Sequence, residues 1–196
     1  MLPLESLSPF WALTAGPVGQ ELAALSRRQP IRPLVLPFDL PWAGAWWRGV
    51  IIFPRRLLTM PVRQATPWLA HEIVHQLQNR VRGTRTPLRG TLYREVEAEI
   101  VRCSVAIELG DEGSSRHVRQ ALATLTRPGL DAAFALIRSR HWIYRTPLYL
   151  WREPEAERMG WRVTLAALGF SHEAIHHIER YTAQPSWSPP SNPLQT

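Results

Sequence analysis

The pattern His-Glu-x-x-His occurs twice in this chain, as HEIVH at residues 71–75 within WLAHEIVHQLQ and as HEAIH at residues 172–176 within GFSHEAIHHIER. A chain of this composition should contain it by accident roughly 0.02 times, so the repetition asks which copy does chemistry. Residues four apart on a helix project from one face, which lets two imidazole nitrogens close on a single metal ion at about 2.0–2.1 Å. The glutamate between them sits one step round the helix. Its carboxylate is then placed to act on a water at the metal, as a general base in metal-assisted hydrolysis.

Context favours the first copy. Thr66 reads as an N-cap, Pro67 as the first helical residue and Gly83 as the stop, which puts His71, Glu72 and His75 in mid-helix. Trp68, Leu69, Ile73, Val74 and Leu77 around them are uncharged, as a buried helix requires. A hydrolytic zinc site needs a third protein ligand, and YREVEAEIVR downstream offers Glu95, Glu97 and Glu99. On the helix expected from about Thr91 to Leu109, Glu95 and Glu99 share one face and Glu97 points roughly the other way. Two carboxylates on one face of an apolar helix repel each other unless something positive lies between them. That assigns Glu95 as metal ligand and Glu99 as acceptor of the outer N–H of a zinc-bound histidine.

The second copy lacks these supports. Ser171 is a natural N-cap, so His172 falls in the frayed first turn, and only Glu179 follows as a carboxylate. Ala174, Ile175 and Ile178 instead make a packing face, and the lesser alternative is that His172, His176 or His177 approaches the first site to stabilise an oxyanion.

HEIVH followed by EVEAE resembles the gluzincin zinc metallopeptidases, thermolysin and the CAAX-type proteases among them. These carry HExxH and then a Glu ligand on the next helix, and Glu95 comes twenty residues after His75, the thermolysin-like spacing. The resemblance covers about 50 residues from Gly49 to Glu99 and extends to the minimal gluzincins, including small bacterial proteins that share only this core. It implies Zn²⁺ held by His71, His75 and Glu95, Glu72 as catalytic base, and Glu99 where the family has Asp, one methylene shorter. It also implies a substrate edge strand, here Gly49, Val50, Ile51, Ile52 and Phe53, on which an extended peptide or protein substrate adds by backbone hydrogen bonds. A Tyr or His from outside the metal helices stabilises the oxyanion in that family, and His141, Tyr144 and Tyr93 are the candidates here.

The remaining elements must hold such a site in place. The first 65 residues are rich in Pro and Trp, with one helical stretch in GPVGQELAALSRR and β-like pieces in PLVLP, RGVIIFP and RRLLTMP. Helices follow near 115–126, 130–140, 153–168 and in SHEAIHHIERYT. The expected class is α+β: a mostly helical, zincin-like single domain over residues 1–183, its small N-terminal sheet packed on the metal-binding helices. The Pro-rich segment 184–196 reads as a disordered tail.

Composition narrows the function further. The chain has 196 residues, 45% of them apolar, and no apolar run near the roughly 20 residues of a membrane span, so no membrane role is expected. A single cysteine and no evident secretory signal fit a reducing, cytoplasmic setting. All 23 basic residues are Arg, a bias better explained by GC-rich coding than by phosphate binding. Arg80, Arg82, Arg85, Arg89 and Arg94 cluster between Gln76 and Glu95 without an acid, which solvation and pairing with nearby carboxylates explain more simply than nucleic-acid binding. The resulting expectation is a zinc metallopeptidase. Its rivals are a catalytically silent zinc-binding regulatory domain and a basic nucleic-acid-associated helical protein.

Overall fold

The computed structural model describes residues 8–28, 32–36, 45–47, 50–83, 91–110, 115–149 and 151–183. Gly49, Arg85, Arg89 and the segment 184–196 therefore lie outside the described residues.

The protein is mainly helical. The chain order is α1 (Ser8–Ala12), α2 (Pro17–Arg27), β1 (Arg32–Val35), β2 (Ala45–Trp47), β3 (Val50–Phe53), α3 (Arg55–Thr59), α4 (Val62–Arg82), α5 (Leu92–Glu108), α6 (Ser115–Thr126), α7 (Asp131–Arg140), α8 (Pro154–Ala167) and α9 (His172–Ala183). Short 3₁₀ turns at Leu13–Ala15, Trp142–Arg145 and Pro147–Tyr149 join some of them. The segment RRLLTMP is thus helical rather than a strand: after Pro54, in extended conformation, Arg55–Thr59 wind a single turn and bury Leu57.

Helix α5 is the axis of the packing. It touches α2, α4, α6, α7, α8 and α9, and from Leu92 to Ala106 every residue except Arg94 is buried. Helical spacing draws an apolar stripe through Leu92, Val96, Ile100, Cys103 and Ile107; the first four are buried and Ile107 is partly buried, and the faces between are buried too. Its ends are chemically marked. The Thr91 hydroxyl accepts from the Arg94 backbone N–H at 3.2 Å, and Gly110 closes the far end with φ 64°.

Helix α4 lies along α5 and begins a turn earlier than its sequence suggests, at Val62, with Pro61 as N-cap. Thr66 is therefore inside the helix and fully buried, its hydroxyl 2.8 Å from the Val62 carbonyl and 3.0 Å from that of Pro9. Pro67 deprives only the Arg63 carbonyl of its helical partner, and Arg63 is exposed, where water can replace it. Gly83 ends α4 at φ 73°, as anticipated.

The three strands pair in the order β1-β3-β2, with β1 parallel and β2 antiparallel to β3. Val50, Ile51, Ile52 and Phe53 therefore form the central strand, and the expectation of a substrate edge strand there is corrected. Both of its hydrogen-bonding sides are occupied. Ile51 and Phe53 are fully buried on one face, which made the segment the most legible strand without revealing its neighbours. The antiparallel β2 is an edge of the described sheet and lies beside α4. Pro33, which cannot donate to a ladder, sits in the other edge strand, β1.

A carboxylate fixes α2 against α5. Glu108 accepts from the backbone N–H groups of Val18 at 2.8 Å and Gly19 at 2.9 Å, two donors of the α2 N-terminus, and from the Tyr181 hydroxyl of α9 at 3.1 Å. The approach needs glycine: a Cβ on Gly16 would lie 2.4 Å from the Glu108 side chain, and one on Gly19 would lie 2.0 Å from the Leu13 carbonyl oxygen. Among the described residues no helix is long and apolar enough to cross a membrane.

The Leu13 clash is with backbone, which cannot rotate away. Gly19→Ala is expected to destabilise the fold by about 1–3 kcal/mol, lowering Tm in a thermal circular-dichroism melt by roughly 2–4 °C per kcal/mol; an unchanged Tm would contradict this packing.

Candidate metal centre

Three carboxylates, Glu95, Glu97 and Glu99, stand within five residues of the buried helix α5, at 5%, 0% and 5% exposure. A buried carboxylate is tolerated only with a partner, and each has a different one. Glu97 is held by the Arg82 guanidinium through two hydrogen bonds, 2.5 Å and 2.8 Å long, and by the Gln78 amide at 2.8 Å. Glu99 is held by Arg102 at 2.5 Å, whose guanidinium also lies 4.8 Å over the Trp68 ring. Glu95 has no guanidinium. It faces His71 and His75 of α4.

That group has a compact geometry. The Nε2 atoms of His71 and His75 are 3.0 Å apart, His71 Nε2 lies 3.3 Å from Glu95 Oε2, and His75 Nε2 lies 3.5 Å from Glu95 Oε1. Tetrahedral ligands at 2.0–2.1 Å from a zinc ion are separated by about 3.3–3.4 Å, so these contacts, the two to Glu95 ending on different carboxylate oxygens, are close to the required spacing. The donor set suits the same ion, and Glu95 Oε2 is buried with no hydrogen-bond partner. Without a cation or a proton, lone pairs of two rings and a carboxylate would point at one another. Among the described residues this is the one group of three or more His, Cys, Asp or Glu with ligand atoms so gathered.

Electrostatics follow from that crowding. Burial alone would raise the Glu95 carboxyl, but His75 and His71 beside it more than offset this and hold it well below the usual carboxylate range. Burial disfavours a charged His75 ring, yet Glu95, with Glu72 and Gln78 in support, pushes it up to about 9. Glu72 is also buried, and desolvation pushes its carboxyl above the usual range against the pull of both histidines.

The structure divides the other expected site residues. Glu99 accepts from neither histidine: its carboxylate goes to Arg102, His75 Nδ1 bonds Gln78 Oε1 at 2.8 Å, and His71 Nδ1 has no hydrogen-bond partner. The extra methylene that distinguishes Glu from Asp lets it reach along its own helix to Arg102, three residues on. Tyr93 is also corrected. Its hydroxyl lies 3.2 Å from the Thr164 hydroxyl of α8, on another side of α5 from Glu95, and burial pushes it up to about 12. His141 caps the 3₁₀ turn that follows it, its Nδ1 accepting from the Ile143 N–H at 3.3 Å. Tyr144, however, is beside the pocket: burial, then Glu95 and its neighbours, push its phenol far up.

Tyr149, which the sequence did not single out, is nearer still. Its ring meets that of Tyr144 edge-on at 4.9 Å, and its phenol feels the Glu95 carboxylate electrostatically. Burial and the Glu95 and Glu72 charges keep it a neutral donor. No periodicity links RTPLYL to α4 or α5, so only the fold could bring it there.

The second HExxH has no such setting. His172 and His176 are exposed on α9, His176 pairs with Glu179 at 3.4 Å, and His177 stacks its ring nitrogens against Arg180. Ser171 caps the helix as expected, and Ala174, Ile175 and Ile178 form its buried face. Of the basic cluster, Arg82 and Arg94 are both bound by Glu153, at 3.1 Å and 2.5 Å.

Comparison with family models, with curated proteins and with solved structures found no match.

The His75 shift sets a pH dependence in protein stripped of metal. A histidine raised from 6.5 to about 9 by the fold stabilises it fully below about pH 6.5 and loses that contribution as pH rises through 9. The Tm of EDTA-treated protein is therefore expected to fall between those values, and the fall should be absent in Glu95→Gln; identical profiles for the two proteins would contradict the coupling.

Proposed function

We propose that the chain is a zinc-dependent metallopeptidase of gluzincin type, with His71, His75 and Glu95 as ligands and Glu72 as general base. The observation that carries this reading is the meeting of His71 Nε2 and His75 Nε2, 3.0 Å apart, with Glu95 Oε2 and Oε1 at 3.3 and 3.5 Å, around the one carboxylate of Glu95, Glu97 and Glu99 that lacks a guanidinium partner. A zinc ion held there supplies an acidified water and polarises a carbonyl oxygen.

The chain's own residues provide the rest. Glu72 lies inside the electrostatic reach of both histidines and of Glu95, and its raised proton affinity suits a group that takes a proton from water and returns it to the leaving amine. Tyr149, with Tyr144 behind it, is a neutral phenol beside Glu95 and can donate to the oxygen that becomes negative when the carbonyl is attacked. An extended peptide adds to the side of β2 that pairs with no strand among the described residues, beside α4, because β3 is paired on both sides. An edge strand beside the HExxH helix is in keeping with a zincin-like α+β arrangement.

Zinc content and peptide-library cleavage test this together. Purified protein is expected to hold one zinc, lost in His71→Ala and Glu95→Ala and kept in His172→Ala. Glu72→Gln should keep the zinc and lose cleavage by about 10²–10⁴-fold. Zinc without any cleavage in the wild-type protein would favour the silent regulatory domain, and duplex DNA binding that survives EDTA would favour the nucleic-acid reading. Tyr149→Phe is expected to lower kcat by about 10²–10³-fold with zinc retained; a kcat equal to wild type would remove it from the oxyanion role.

A further inference from the structure

Gln78 occupies a fully buried position one turn beyond His75, and its hydrogen bonds leave its amide a single orientation. Its Nε2 group donates to the Arg94 carbonyl at 2.9 Å and to Glu97 Oε2 at 2.8 Å. Both partners are acceptors only, and Glu97 is locked in place by the two bonds from Arg82. Rotating the amide by half a turn would set its carbonyl oxygen against two other oxygens and break both bonds in the interior, where no water replaces them. The amide oxygen must therefore face His75.

That oxygen lies 2.8 Å from His75 Nδ1 and can only accept. Nδ1 must carry a proton. In a neutral imidazole the lone pair is then on Nε2, the atom 3.0 Å from His71 Nε2 and 3.5 Å from Glu95. The opposite tautomer would turn a proton toward His71 and Glu95 and a lone pair onto the Gln78 oxygen. His71 has no such device, since its Nδ1 is without a partner.

We propose that Gln78 is a positioning residue: through the chain Arg82–Glu97–Gln78 it fixes the Nδ1–H form of His75 and so presents Nε2 to a metal ion. The inference rests on the metal-site reading above and adds that the site's preformed ligand is His75. A Gln78 that merely satisfied Glu97 would leave metal affinity untouched.

The test compares wild-type protein with Gln78→Met, of similar length but without the acceptor, using zinc itself as the probe. Nitrogen NMR of zinc-loaded, histidine-labelled wild type is expected to show His75 protonated at Nδ1 and liganded through Nε2; the reverse assignment would overturn the proposal. In competition with a chelating dye, Gln78→Met with an intact near-ultraviolet circular dichroism spectrum should bind zinc about 10–100-fold more weakly. Affinity within about threefold of wild type would overturn the positioning role while leaving the metal site standing. Should the variant fail to fold, the wild-type nitrogen assignment decides alone. A wild-type protein that takes up no zinc would overturn both this inference and the reading it rests on.

Discussion

The structure is organised by the burial of charge on α5. A helix in contact with six others has no face on which to solvate a carboxylate, yet it carries Glu95, Glu97 and Glu99. Each must be neutralised from a neighbouring position, and that requirement dictates what stands opposite it. Arg82 of α4 answers Glu97 and Arg102 of α5 itself answers Glu99, both permanent cations. Glu95 is answered by two imidazoles, whose charge depends on protonation. Of these three carboxylates Glu95 is thus the one whose neutralisation is conditional, and a conditional partner is what a ligand can replace.

The same constraint explains why α4 and α5 are joined so firmly. From Gln78 the bonds continue through Glu97 to Arg82, on to Glu153 ahead of α8, and back through Arg94 to Asn79, whose side chain donates to the His75 carbonyl at 2.7 Å. The loop closes on the helix that carries both histidines. Ion pairs removed from water contribute little net stability on average, but each in this ring constrains the next. Their common effect is to fix the register of α4 against α5 within the tolerance that a set of ligand distances near 3.3 Å demands.

Much of this was legible in the residues, and what escaped did so for physical reasons. Thr91, Gly83, Gly110 and Ser171 mark helix ends by local chemistry, so those boundaries were readable. His71, His75 and Glu95 were found because helical spacing fixes which side chains share a face. Strand position was not readable: PLVLP marked β1 and RGVIIFP marked β3, but Val50–Phe53 has the same alternation whether its neighbours are one or two, and β2 is too short to announce itself. Pro67 misplaced the start of α4, because proline is favoured at the first helical position and is also tolerated near a helix start where the orphaned carbonyl is exposed. Tyr149 and Arg82 act through partners 15 or more residues away in sequence, as does the amide nitrogen of Gln78, and pattern carries no information at that range.

Glu72 and Glu95 are two buried carboxylates beside the same histidines whose proton affinities shift in opposite directions. Both are buried beside the same histidines, so desolvation raises both alike. The difference lies in contact: Glu95 places its oxygens 3.3 and 3.5 Å from the two rings and is held ionised, while Glu72 feels them at longer range and keeps the upward shift. In the proposed reading Glu95 as ligand stays an anion, and Glu72 as base must gain and release a proton. Helix geometry produces that division, because i and i+4 on α4 turn the histidines toward α5 and i+1 turns the glutamate aside. The exposed copy at residues 172–176 has the same spacing, but neither a buried helix opposite nor the desolvation that would separate its carboxylate from water. The pentapeptide supplies directions, and burial supplies the chemistry.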